Sequence, residues 1–287
     1  LLIVIFFNTY KTKKNYFVLF FIFSVPFLLA IERANIDVLI FLILFILCRY
    51  KNIILNYFLI LLSFAMKFYP IFFGMVLLFK KSFKQILVSV TILFLLVTVF
   101  TLFQSETFIK VFNNQSSFSG AGAYQFSFKG LIATIKDFNI FYGGREQNLV
   151  KYFLVFVLFG LPVFFYTKYF IKIVQNNIFV GEIFETNNFE NRIYIASSIT
   201  LIICYILVQN WLYREIFFLG LIPWVLSNDQ KKNSFIDLLF YSILIKFILT
   251  TIFVILVQNY YIIFLKFNFF FTFLKHLIDF YLMWIIS

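Results

Sequence analysis

The sequence predicts an all-α fold: a polytopic transmembrane helical bundle of about 8–10 membrane segments, some of them short or broken. Three observations predict it. The 287 residues are 63% hydrophobic and only 13% charged, whereas a soluble domain is about half apolar and about a quarter charged. The apolar residues fall in successive runs near the length that spans a bilayer, about 20 residues. The cations sit in short clusters between those runs, so the net charge of +12 reads as a positive-inside signal rather than a nucleic-acid surface. The whole chain, 1–287, reads as one integral membrane domain.

The segments follow in order. Residues 1–10 read as the tail of a helix, closed by Lys11, Lys13 and Lys14. Leu1 opens inside an apolar run with no Met and no signal-peptide layout, and the expectation is a chain whose N-terminal helices are missing. Segment 16–31 contains Pro26 and ends in the polar knot Glu32-Arg33-Ala34-Asn35-Ile36-Asp37. Segment 38–48 runs to Arg49 and Lys51. Segment 53–66 leads to Lys67-Phe68-Tyr69-Pro70, and 71–79 ends at Lys80, Lys81 and Lys84. Segment 85–103 opens into the longest polar stretch, 104–148, expected to be a long external loop. Within it, Ser116 to Gly130 suits either a surface loop or an amphipathic helix lying on the membrane. Segments 149–166, 193–209, 216–226, 235–257 and 262–286 complete the chain, with the mixed loop 167–192 and the knot Trp211 to Glu215 between them. Short or broken segments are tolerated at membrane depth only where protein or a cavity covers the backbone.

Placing Lys11 to Lys14 in the cytoplasm and alternating returns Arg49 and Lys51, Lys80 to Lys84, Lys168, Lys172 and Arg192, and Lys231 and Lys232 to the same side, as the positive-inside rule requires. That alternation needs 53–66 and 71–79 to form a short out-and-back pair. It puts Glu32, Arg33, Asp37, Lys67, Arg214 and Glu215 together on the outer side, each pressed between apolar runs. Ionisable groups there pair, line a cavity or snorkel to water. Asp37 also suits the first turn of a helix through the dipole. Lys246, in the middle of an apolar segment, must snorkel, pair or line a cavity. His276 and Asp279 are three apart and able to pair; both read as structural. The 48 Phe residues reflect a Phe-, Ile-, Lys-, Asn- and Tyr-rich composition on lipid-facing positions and mark no site. Cys48 and Cys204 lie in apolar segments and read as small hydrophobes. A single histidine removes a His-based metal cluster; no cofactor and no metal site is expected, with a divalent cation left open.

Three stretches carry a family resemblance. Glu32 to Asp37 resembles an ERGNID signature, Lys67-Phe68-Tyr69-Pro70 a K-x-Y-P signature, and Tyr213-Arg214-Glu215-Ile216-Phe217-Phe218 with Pro223 a YRxxFL…P signature. In this order they resemble the polytopic GT-C membrane glycosyltransferases, close to glycosyltransferase family 87, over about residues 30–225. The resemblance implies a GT-C-like bundle in a bacterial inner membrane with an outward-facing active site. It implies transfer of a mannose-like hexose or similar sugar from a polyprenyl-phosphate donor to a glycan or glycolipid acceptor, among membrane lipids and without nucleic acid. Carried over, Asp37 and Glu32 are the candidate catalytic carboxylates, and Arg33, Asn35, Lys67, Tyr69, Arg214 and Glu215 the substrate-binding set. Ala34 departs from the family's Gly. The resemblance implies a further catalytic carboxylate in a first external loop, expected upstream of residue 1.

The residue types fit that chemistry. A phosphate leaving group calls for cations, with Arg reading it as a fork and Lys as a point charge. A carboxylate takes the acceptor hydroxyl's proton, from the face opposite the leaving group in an inverting displacement. No Gly-rich phosphate loop and no Asp-x-Asp occurs. A surface-polysaccharide polymerase or ligase, or a transporter or lipid flippase, are the alternatives.

Overall fold

The computed structural model describes residues 23–32, 35–79, 82–106, 109–110, 187–207, 212–228, 234–259, 272, 274–283 and 286. Segments 1–10 and 149–166, the loop 104–148 beyond its first residues, and most of the loop 167–192 lie outside these. So do Lys11, Lys13 and Lys14, Arg33 and Ala34, Lys80 and Lys81, Lys168 and Lys172, and Lys231 and Lys232.

The described residues are almost all helical, with no strand among them. The elements are α1 (Val25–Glu32), α2 (Ile36–Arg49), α3 (Ile53–Met66), a first 3₁₀ run (Tyr69–Leu78), α4 (Phe83–Phe103), α5 (Phe189–Leu207), a second 3₁₀ run (Leu212–Gly220), α6 (Ile222–Asn228) and α7 (Ser234–Asn259). Residues 274–283 are also helical. Pro26 falls in the first turn of α1, where its missing N–H costs nothing.

Asparagines start two of the helices. The Asn35 side chain accepts from the Asp37 N–H at 2.9 Å, and Asn52 accepts from Ile54 and Leu55 at 3.0 and 3.2 Å. These are N-caps, which satisfy backbone donors that the first turn leaves without a partner. Ser82 and Gln85 close α4 with a reciprocal capping box, as the Ser-x-x-Gln spacing allows.

α2 and α3 are each 14 residues long, about 21 Å at 1.5 Å per residue. α2 buries Asp37, Ile40, Phe41, Leu44 and Leu47 on one face, while Leu39, Leu42 and Ile46 on the other are exposed and equally apolar. The chain reverses at Lys67 and Phe68, and the first 3₁₀ run packs back along α3. Val76 and Leu77, near its end, line the same pocket as Ile53 and Asn56, near the start of α3.

α5 is the centre of the bundle. It contacts both 3₁₀ runs, α2 and α6, and buries Ile193, Tyr194, Ala196, Ser197, Leu201 and Cys204. The Tyr194 and Trp224 rings lie 4.4 Å apart at an interplanar angle of 31°. At Gly220 the second 3₁₀ run comes so close that an added Cβ would run into Ser197 Oγ.

α4 stands at the periphery. Its 21 residues reach about 31 Å, the thickness of a hydrocarbon core, and among them only Ser89 is buried. Phe94, Leu95, Leu102 and Phe103 are more than half exposed. Among the described residues it is the one helix long and apolar enough to cross a membrane. An apolar surface of this extent calls for lipid or a partner.

Candidate functional site

Two ionic clusters occupy the described core, and three of the polar stretches singled out in the sequence feed the first. Asp37, fully buried in the first turn of α2, is its centre. Lys67 Nζ lies 2.7 Å from Asp37 Oδ1, and the Tyr69 hydroxyl donates to the same oxygen at 2.5 Å. Arg214 Nε stands 3.8 Å from Asp37 Oδ2. Its guanidinium carbon is 5.0 Å from the centre of the Tyr69 ring, within cation–π range. At 3.8 Å the Arg214 contact is an ion pair without a hydrogen bond, and neither atom has another hydrogen-bond partner among the described residues.

The floor of this cluster is aromatic. The Phe217 ring meets Phe41 and Tyr69 edge to face, at 5.8 and 5.7 Å between centroids, and Phe73 at 6.2 Å. These are ordinary aromatic pair distances. One residue from the Tyr213–Phe218 motif thus locks α2 and both 3₁₀ runs around Asp37. The cluster is closed below and open at its rim, for the side chains of Lys67 and Arg214 keep 22% and 15% of their surface exposed. Lys67 lies between α3 and the first 3₁₀ run, outside either. Burial pulls its ammonium below the usual lysine range, against the opposing pull of Asp37.

The second cluster is sealed. Lys246 Nζ lies 2.8 Å from Glu215 Oε1 and also pairs with Asp279. Lys275 Nζ is 2.9 Å from Asp279 Oδ2 and 3.7 Å from Glu215 Oε1. The four side chains are at most 3% exposed. The network ties the second 3₁₀ run, α7 and the helix at 274–283 together. Two acids and two lysines balance in charge, which is what a buried set requires.

The proposed site residues therefore divide. Asp37, Lys67, Tyr69 and Arg214 come together. Asn35 stands beside them, its side-chain oxygen committed to capping α2. Glu32 is exposed at the end of α1. Glu215 belongs to the sealed network, not to a pair with Arg214. The reason is local: at three residues per turn, successive side chains of a 3₁₀ run point a third of a turn apart. His276 and Asp279 face each other, as their spacing allows, but without a hydrogen bond. Nδ1 of His276 stands 4.0 Å from Asp279 Oδ2, beyond hydrogen-bond reach, and Asp279 is held instead by the two lysines. Sequence reasoning missed the Lys246–Glu215–Asp279–Lys275 network. Its signal was Lys246, a charge inside an apolar run that had to find an acid.

Among the described residues no group of three metal-ligating side chains gathers. No protein-family model matches this chain, and no curated protein or solved structure matches it either.

Proposed function

We propose that the chain is a multi-pass membrane glycosyltransferase that takes a hexose from a polyprenyl-phosphate donor, with the Asp37 cluster as its phosphate-binding site. The observation that carries this reading is the meeting of Lys67 and Arg214 on one buried carboxylate, with part of each cation still exposed. A cation pair held by a sealed acid is preorganised. It stabilises charge developing on a leaving phosphate without having to reorient during reaction.

In this reading Asp37 positions the two cations, and Tyr69 fixes Asp37 through its hydroxyl and Arg214 through its ring. Arg214 engages phosphate oxygens with its guanidinium as Lys67 neutralises their charge. The bond from the anomeric carbon to the phosphate oxygen breaks as the acceptor hydroxyl attacks. A carboxylate on the opposite face takes its proton. Glu32 suits that proton-accepting part better than Asp37, because it is exposed and Asp37 is gripped by Lys67 and Tyr69. The outer face of α4 and the apolar outer face of α2 suit lipid contact, and through it a lipid-borne donor.

The test is transfer of labelled hexose from polyprenyl-phosphate-hexose to acceptor in membranes holding equal amounts of each variant. Lys67→Ala and Arg214→Ala are each expected to lower transfer by about 100-fold or more, the usual cost of losing one transition-state donor. Wild-type rates in both variants overturn the reading. Transport without a new glycosidic bond is the alternative reading. It draws on the Lys246 network, since buried ionisable groups at membrane depth also mark ion pathways.

A further inference from the structure

A third polar region lies at the other end of α2, about 15–20 Å from Asp37 along the helix axis. It is a pocket of about 120 Å³, and Lys51, Asn56, Asn187 and Arg192 form its polar wall. Arg192 is the notable member. It is 2% exposed, and Nη2 donates to the Leu47 carbonyl at 2.9 Å and to the Tyr50 carbonyl at 3.3 Å. That much caps the C-terminal end of α2, a common use for a cation. It leaves Nε and Nη1 buried with no hydrogen-bond partner among the described residues.

A buried guanidinium with two donors unused is costly unless an anion answers it. The described residues that line the pocket include no carboxylate. They add cationic character instead. Lys51 is exposed beside the pocket. Ile53 and Asn56, from the first turn of α3, also line it, so the positive end of a 14-residue helix lies against it. Asn56, with its amide turned so that its nitrogen donates to the Asn52 and Tyr50 carbonyls, accepts from Arg192 Nη2 at 3.2 Å and steadies the guanidinium. Asn187 Oδ1 is buried without a donor among the described residues.

We propose that this pocket binds a phosphate group, carried by an anionic lipid headgroup or arriving as free phosphate. With Nη2 held by the Leu47 and Tyr50 carbonyls, Nε and Nη1 stand on two different edges of the Arg192 guanidinium, so each offers a single charge-assisted hydrogen bond to an anion. Lys51 adds a point charge at the rim. A basic pocket between helix ends is the form that headgroup sites take in membrane proteins. The site is separate from the Asp37 cluster and stands whether or not the chain transfers sugar.

The experiment uses the whole chain purified in a neutral detergent, with its unfolding midpoint followed by intrinsic fluorescence. One arm adds inorganic phosphate against chloride at equal ionic strength. The other adds phosphatidylglycerol to the micelles against phosphatidylcholine. The expected result is a midpoint raised by several degrees in at least one arm. A rise with lipid alone assigns a headgroup, a rise with phosphate alone assigns the free ion, and a rise in both assigns the phosphate group as sufficient. Arg192→Gln is expected to erase the rise. Because it also uncaps α2, Lys51→Gln is the deciding variant. Lys51 is exposed, so its midpoint without probe stays at the wild-type value while the rise falls by half or more. No rise in either arm, or a rise of undiminished size in Lys51→Gln, overturns the proposal.

Discussion

Arg214 and Glu215 are neighbours in the chain and belong to two ionic clusters that could hardly differ more in access to solvent. Around Asp37 the acid is sealed and the cations reach the surface. Around Lys246 both acids and both lysines are sealed. A cluster with exposed cations has something left to offer a ligand. A closed, charge-balanced one has spent its charges on itself. The difference separates a cluster whose cations still reach solvent from one that only holds helices together, although the residue types are nearly the same.

The largest effect should come from opening the sealed cluster. Lys246→Met leaves Glu215 and Asp279 sharing Lys275, and breaking a buried pair by removing one partner costs about 3–5 kcal/mol. The expected outcome is a sharp fall in folded, monodisperse protein. Adding Glu215→Gln to the same variant should recover part of it, since the removed charges then match again. A Lys246→Met protein as stable as wild type would mean that the network is no latch.

Asp37→Asn should behave differently. Its cations are partly solvated, so the stability cost is smaller, about 1–3 kcal/mol, while hexose transfer drops by about 100-fold or more. A thermal melt paired with the transfer assay checks both halves. Tyr69→Phe keeps the ring under Arg214 and removes only the hydroxyl to Asp37, for about 1.5 kcal/mol; a larger loss would show that the hydroxyl and not the ring anchors the site. Asn35→Ala is the mildest change. It removes the N-cap of α2 for about 1 kcal/mol, measured as a lowered melting midpoint, and should spare transfer more than Asp37→Asn does.

Much of the first cluster was legible because each of its parts is a polar interruption of an apolar run. Charge alternation then put the three interruptions on the outer side of the membrane; in the structure Asp37, Lys67 and Arg214 lie against one another. The out-and-back pair was expected to turn around Tyr69 and Pro70; those two residues already belong to the first 3₁₀ run, and the reversal falls just before them, at Lys67 and Phe68. The sealed cluster was not legible, because its members lie far apart in the chain: Asp279 was matched with its neighbour His276, and Lys275 was not singled out. The 3₁₀ runs were not legible either. An apolar stretch such as Ile71 to Leu78 carries no composition that separates three residues per turn from 3.6. Arg192 was read as a loop cation at the cytoplasmic side; its burial under the end of α2 depends on Leu47 and Tyr50, more than 140 residues earlier.

The tight pitch of the second 3₁₀ run makes that stretch a phase-keeping element. Arg214 reaches one cluster and Glu215 the other because they stand a third of a turn apart. Inserting or deleting a single residue ahead of them would rotate both together, turning the arginine from Asp37 and the glutamate from Lys246 in one stroke. Angular phase is restored only by changes in threes, and each of those moves the run about 6 Å along its axis. Spacing here is therefore constrained as tightly as residue identity.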